Sequence, residues 1–304
     1  MIRLLIAALA ILIFPVAARA QAENPETVPS GNTSWTGFQG GGFGGGSNLS
    51  DNFLEPGANQ FFRTAFPTGF GCNTCTFSGT DSETPFGFGG KSWVGTFGLL
   101  FGYTHQFGNV VVGLEGDASV QPSGGASSAL SVSQTATYTG TVTCTFISCP
   151  SITSQATRTQ AFTGGSGQGS WQSTIRPRIG YLVTPSTLVY GTAGAAIGRV
   201  SGSFSYSATT PYCAGPGECL TDTTNGAANW SETRLGWAAG GGIEVAVARN
   251  LKLRVEYLHT DLGSFSENVP LVRSPVSNTG STNALIDMKA ASDAIRFGFA
   301  FNLN

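Results

Sequence analysis

Eleven charged residues fall where β-strands would aim them at one face, and their types and spacing set the chemistry open to this chain. They are Glu115, Asp117, Arg176, Arg178, Arg199, Arg234, Glu244, Lys252, Arg254, Glu256 and Arg296. Successive strand residues point to opposite faces, so members two positions apart share a side. Both signs occur on neighbouring strands: Glu115 and Asp117 beside Arg176 and Arg178, and Glu256 between Arg234 and Arg296. Carboxylates and guanidiniums so arranged can do one of two things. They can pair into a plug that rigidifies the interior, or line a narrow polar channel that opens when the pairs rearrange.

Other reactive groups are few. The six cysteines form three close pairs, Cys72/Cys75, Cys144/Cys149 and Cys213/Cys219. Each pair lies within one connecting segment, and in an exported chain the expectation is three small disulfides clipping hairpin tips. A zinc site needs four converging ligands, and no histidine lies near these pairs. Cys72-Asn73-Thr74-Cys75 has redox-motif spacing but lacks a βαβ context. Of the two histidines, His105 falls in a turn and His259 lies two residues before Asp261. His259 with a nearby serine is the one catalytic candidate, set against an ordinary interfacial residue. Gly40–Gly46 is not a phosphate loop, because no Lys-Ser/Thr follows it. No cofactor and no metal are expected.

The elements that must position these groups are strands. Trp93, Phe97, Leu99, Phe101 and Tyr103 alternate with Val94, Thr96, Gly98 and Gly102, giving one large apolar face and one small or polar face. The next run sets Val110, Val112 and Leu114 against Glu115, Asp117 and Ser119. Trp93 and Tyr103 are ten residues apart, as are Trp171 and Tyr181. That spacing is about 33 Å of strand, or roughly 25 Å of height at a tilt of about 40–45°, the apolar band of an outer-membrane barrel between its aromatic girdles. Trp237 and Tyr257 complete the expected girdle.

The alternation predicts eight strands: Trp35–Gly46, the two arms of the hairpin Ser92–Val120, Ser170–Val183, Thr187–Ser203, Trp230–Val247, Leu251–Asp261 and Ser292–Leu303. Turns near 105–109, 184–186 and 249–250 are tight, whereas segments 47–91, 120–169, 204–229 and 262–291 are long. The Thr/Ser-rich flanks of the later cysteine pairs alternate enough to continue the strands beyond the membrane. The fold class is all-β: an eight-stranded antiparallel up-and-down transmembrane β-barrel with short periplasmic turns and four long extracellular loops.

Residues 1–20 read as a signal peptide, with basic Arg3, an apolar run and an Ala18-Arg19-Ala20 cleavage site. Residues 21–34 would be a short periplasmic segment and 35–304 the barrel. Cleavage removes two of the 15 Lys and Arg, leaving 13 against 17 Asp and Glu, so no nucleic-acid partner is suggested. No other stretch is long enough for a spanning helix, so a membrane-crossing mature chain must form a closed barrel.

Trp35-Thr36-Gly37-Phe38, Gly108–Asp117, Ile175–Tyr181, Leu188–Gly194 and Leu251–Tyr257 together resemble the small alphaproteobacterial outer-membrane β-barrels, the "porin family" or outer-membrane immunogenic proteins. The resemblance spans about residues 35 to 301 and implies an OmpA-type barrel in the outer membrane of a Gram-negative cell. Its implied surroundings are outer-membrane lipid and lipopolysaccharide, with the barrel-assembly machinery as partner during insertion. That machinery usually reads a terminal aromatic residue, where this chain has Phe301-Asn302-Leu303-Asn304.

An interior of eight strands is just wide enough for side chains to fill it. The expected role is therefore structural and surface-exposed, a plugged barrel carrying long loops toward an unknown ligand or protein. Phe61, Phe62, Phe66, Phe70 and Phe77 in the first long segment could serve such contact or simply pack within it. The alternatives are a narrow porin-like channel for small solutes and, behind that, a lipid A-modifying enzyme using His259.

Overall fold

The computed structural model describes residues 34–55, 59–66, 75–82, 86–121, 126–144, 151–215, 218–274 and 282–303. The expected signal peptide and nearly all of the segment 21–34 lie outside these residues, as do Phe70, Cys72 and Cys149.

Eleven strands form one antiparallel sheet. In chain order they are β1 (Gly37–Glu55), β2 (Asn59–Phe66), β3 (Cys75–Ser82), β4 (Phe86–Phe107), β5 (Val110–Val120), β6 (Ala126–Cys144), β7 (Ser151–Thr184), β8 (Thr187–Gly215), β9 (Glu218–Ala246), β10 (Leu251–Ser274) and β11 (Thr282–Asn302). Eight of them close a ring in the order β1-β4-β5-β7-β8-β9-β10-β11, with β11 returning to β1. Along the chain these eight run up and down in sequence, as the alternation predicts.

The expected eight strands make the ring, and the other three lie outside it. β2, β3 and β6 arise inside segments read as loops: β6 pairs with the upper part of β7, β3 with the end of β6, and β2 with β3. The Ser/Thr-rich flanks do extend the strands, with β8 and β9 in register as far as Cys213 opposite Cys219.

Turn chemistry fixes one end of the ring. β4 and β5 join through Gly108-Asn109, where Gly108 adopts φ 61°, a left-handed conformation that glycine adopts without a Cβ clash. β7 and β8 join at Pro185-Ser186. At this end Trp35, just before β1, is 1% exposed and tucks into the ring with Val111, Leu182, Leu188 and Tyr190. Its indole N–H donates to the carbonyl of Pro185 at 3.1 Å.

The burial pattern is inverted relative to a water-soluble sheet. Phe97, Leu99 and Phe101, Leu253 and Val255, and Phe297 and Phe299 are exposed on the outside. Leu99 is 72% exposed and Leu235 77%. Apolar surface on this scale faces lipid, since water-soluble monomers keep such patches to a few hundred Å². Trp93 and Tyr103, Trp171 and Tyr181, and Trp237 and Tyr257 all project outward.

Candidate functional site: an ion-paired lumen

Nine of the eleven charged residues singled out from sequence meet inside the ring. Register explains how. Glu115 on β5 stands opposite Arg176 on β7, Arg254 on β10 opposite Glu244 on β9, and Glu256 on β10 opposite Arg296 on β11. All are buried, together with Asp117, Arg178 and Lys252.

Some pairs join neighbouring strands, as Arg176 and Arg178 on β7 do with β5, and others cross the lumen, as Arg176–Glu256, Arg254–Glu115, Arg178–Glu244 and Arg296–Asp117 do. Arg176 reaches Glu256 at 2.7 Å, Asp117 at 2.8 Å and Glu115 at 3.2 Å. Glu115 also takes Arg254 at 2.8 Å and Arg178 at 3.1 Å. Arg178 lies 2.9 Å from Glu244, Arg296 pairs with Asp117 at 3.1 Å, and Arg254 pairs with Glu256. Each of these eight charges thus has an opposite neighbour, without which burial would cost several kcal/mol per ion.

Neutral residues finish the packing. The Tyr190 hydroxyl donates to Glu256 at 2.9 Å and accepts from Arg254 at 2.7 Å, and its ring lies 4.0 Å from the Arg178 guanidinium carbon. Thr174 donates to Asp117 at 2.8 Å. Room for Tyr190 comes from Gly242, where an added Cβ would lie 2.8 Å from the tyrosine oxygen. A void bounded by Phe43, Leu100, Glu115, Asp117, Arg176, Arg254, Glu256 and Arg296 measures about 10 Å³. One water molecule is the most such a space admits.

Lys252 lies below this cluster, bonded to Asn302 at 3.0 Å and 4.5 Å from the Trp35 ring. Above it Gln172 donates across the lumen to Thr260 at 3.0 Å. Higher still the interior turns apolar: Val200, Phe204, Tyr206, Trp230, Leu258, Leu262, Phe265, Val269, Ile286 and Met288 form one buried cluster. β10 supplies Leu258 and Leu262 below and Phe265 and Val269 above a register shift between Asp261 and Ser264, where Gly263 at φ 87° moves the inward side from even to odd positions.

Two sequence assignments are corrected. Arg199 is not inward: β8 buries its even positions, so Arg199 is exposed and bonds the Ser231 hydroxyl at 2.7 Å. Arg234 does not neighbour Glu256, whose partners opposite are Gly242 and Arg296. It sits where the β9–β10 ladder is interrupted, between Trp237 and Gly226, paired with Glu232 at 2.7 Å and 4.3 Å from the Phe265 ring. Tyr190 and the upper apolar cluster went unread.

His259 lies on the outer face near the upper edge of the apolar band. Its Nδ1 is 2.8 Å from an Asp293 oxygen that also accepts from the Tyr257 hydroxyl at 2.6 Å, and its ring lies 5.2 Å from Trp237. The residues opposite His259 on the flanking strands, Ala239 and Asp293, carry no hydroxyl. Among the described residues no group of three or more His, Cys, Asp or Glu is placed to hold a metal.

An all-β ring with apolar residues outside and charges inside is the geometry of a membrane barrel. Residues 6–285 match the family described as "Outer membrane protein beta-barrel domain". The chain belongs to that family. This outer-membrane barrel is 38% identical over 94 residues to the 31 kDa outer-membrane immunogenic protein of Brucella melitensis biotype 1, covering 31% of this chain and 33% of that protein. It is 27% identical over 187 residues to the 22 kDa outer membrane protein of Rhizobium leguminosarum bv. viciae, covering 61% of this chain and 57% of the relative. The aligned stretch is thus a third of the Brucella protein's length and just over half of the Rhizobium protein's. Among solved structures, the outer membrane protein OprG of Pseudomonas aeruginosa aligns over 88% of this barrel and 97% of its own chain, at 12% identity and a TM-score of 0.33.

Proposed function

We propose that this outer-membrane barrel is a closed anchor that displays its projecting strands at the cell surface, not a pore. The observation carrying this reading is the cross-lumen network centred on Arg176 and Glu115, whose bounded void is about 10 Å³. An ion crossing it would have to break several buried pairs at once. Removing one partner of a buried pair costs about 3–5 kcal/mol, which opposes spontaneous opening. The Trp35 plug closes the periplasmic mouth beneath the network. His259 fits the role of an interfacial residue, held by Asp293 beside Trp237. The name of the Brucella relative, an immunogenic protein, accords with surface display.

Planar-bilayer conductance tests the reading. The refolded barrel is expected to be electrically silent at moderate voltage, and the Arg176→Ala, Arg178→Ala double variant to show steps. Ion-selective steps from the unaltered protein would overturn the closed anchor and favour a narrow channel.

A further inference from the structure

We propose that Cys75 and Cys144 form a disulfide joining the first and second outer segments, in place of clips within each segment. The argument rests on backbone register. β3 begins at Cys75, β6 ends at Cys144, and the two residues stand directly opposite each other on the last rung of the β3–β6 ladder. Opposed residues of an antiparallel pair have Cα atoms about 4.5–5.5 Å apart, inside the range of roughly 4.4–6.8 Å that a disulfide spans.

A second rung repeats the pattern independently. Cys213 stands opposite Cys219 near the tip of the β8–β9 hairpin. The chain has six cysteines, and two separate ladders, β3–β6 and β8–β9, each oppose cysteine to cysteine near an outer end. For Cys213 and Cys219 close spacing and register agree. For Cys75 they disagree, since spacing favours Cys72 and register favours Cys144.

The site also has a mechanical reason. Among the described residues, the part of β4 between Phe86 and Thr96 pairs with β1 alone, and its pairing with β5 starts only at Phe97. The β2–β3 hairpin is therefore held to the β6–β7 side of the wall by the β3–β6 ladder, whose outermost rung is the cysteine pair. A bond there keeps that ladder from fraying and fuses two outer segments into one surface. In the oxidising envelope the two thiols give up two protons and two electrons to a disulfide-donating oxidant. Their sulfurs join, and the donor's disulfide is reduced to a dithiol.

Tryptic mapping without reductant tests the proposal on protein extracted from outer membranes with free thiols blocked. Complete cleavage after Arg63, Lys91 and Arg158 leaves one peptide, 64–91, holding Cys72 and Cys75, and another, 92–158, holding Cys144 and Cys149. The expected product is the two peptides covalently joined and separated by reductant. Recovery of each peptide alone with an internal disulfide, or with blocked thiols, would overturn the proposal. A Cys72→Ser, Cys149→Ser variant assigns the bond: the join persists if Cys75 and Cys144 carry it, and its loss refutes them.

Discussion

The same strands build two bodies with opposite surfaces. Along β8, β10 and β11, the part nearer the periplasm turns Val189, Val255 and Phe297 outward and Arg254, Glu256 and Arg296 inward. Beyond it, Ser203, Ser205 and Ser207, Ser264 and Ser266, and Lys289 face outward, while Phe204, Phe265 and Ile286 face inward. The exchange happens within one step per strand: from Ile197 to Arg199, from Tyr257 to His259, from Ile295 to Asp293. It follows from the solvent. In the membrane part lipid covers apolar side chains and the narrow interior shelters polar ones. In the projecting part water covers hydroxyls and the interior must be apolar. The plane of exchange therefore marks the outer membrane–water boundary, and the Tyr257–Asp293–His259 cluster beside Trp237 sits on it.

Breaking the ionic interior should have the largest effect. Glu115→Ala removes the carboxylate shared by Arg176, Arg178 and Arg254. Three buried guanidiniums then lose a partner each, and the expected loss is about 3–5 kcal/mol in urea unfolding of the vesicle-embedded barrel. A loss below about 1 kcal/mol would mean that water fills the network and that the two interiors differ less than their composition.

The alternation that made the membrane half legible is also why parts of the other half were not. Strong contrast between faces, as in Leu251-Lys252-Leu253-Arg254-Val255-Glu256, fixes both the strand and its side. The fifth predicted strand carries Gly191, Ala193, Gly194, Ala195 and Ala196, residues too small to show which face is which. The pattern accordingly sets Arg199 inside, where the structure has it outside, and gives no sign of Tyr190. Gly263 changes the inward parity of β10 in mid-strand, so extending the pattern past Asp261 would have assigned Phe265 to the wrong side. The pairing of β3 with β6 joins residues 75 and 144, a separation that local spacing cannot report. What was readable was contrast within one strand, and what was not was register between distant ones.

Charge on the lipid face tests the boundary directly. Val255→Arg places a guanidinium in the membrane band and is expected to cost about 2–4 kcal/mol if that position is near the midplane. Ser264→Arg lies on the same strand and the same outer surface, beyond the exchange, and is expected to stay within about 0.5 kcal/mol. Urea titration of both variants in the same vesicles measures the step between them. Equal losses would place the boundary above Ser264.

The smallest effect belongs to Arg199, the one charge of the eleven that faces outward. Its guanidinium bonds the exposed Ser231 hydroxyl, and an exposed polar contact contributes little once water can replace it. Arg199→Ala is expected to leave the unfolding midpoint nearly unchanged, a shift within about 0.5 kcal/mol. Arg178→Ala, the same substitution lower on the wall, opposite Thr192, strips Glu115 and Glu244 of a buried cation and should behave like Glu115→Ala. The pair holds residue chemistry constant and varies the surroundings, water outside the projecting part against the ion-paired lumen. If Arg199→Ala cost as much as Arg178→Ala, the outward face of β8 at that height would not be bathed in water, and the projecting half would have a covering partner there.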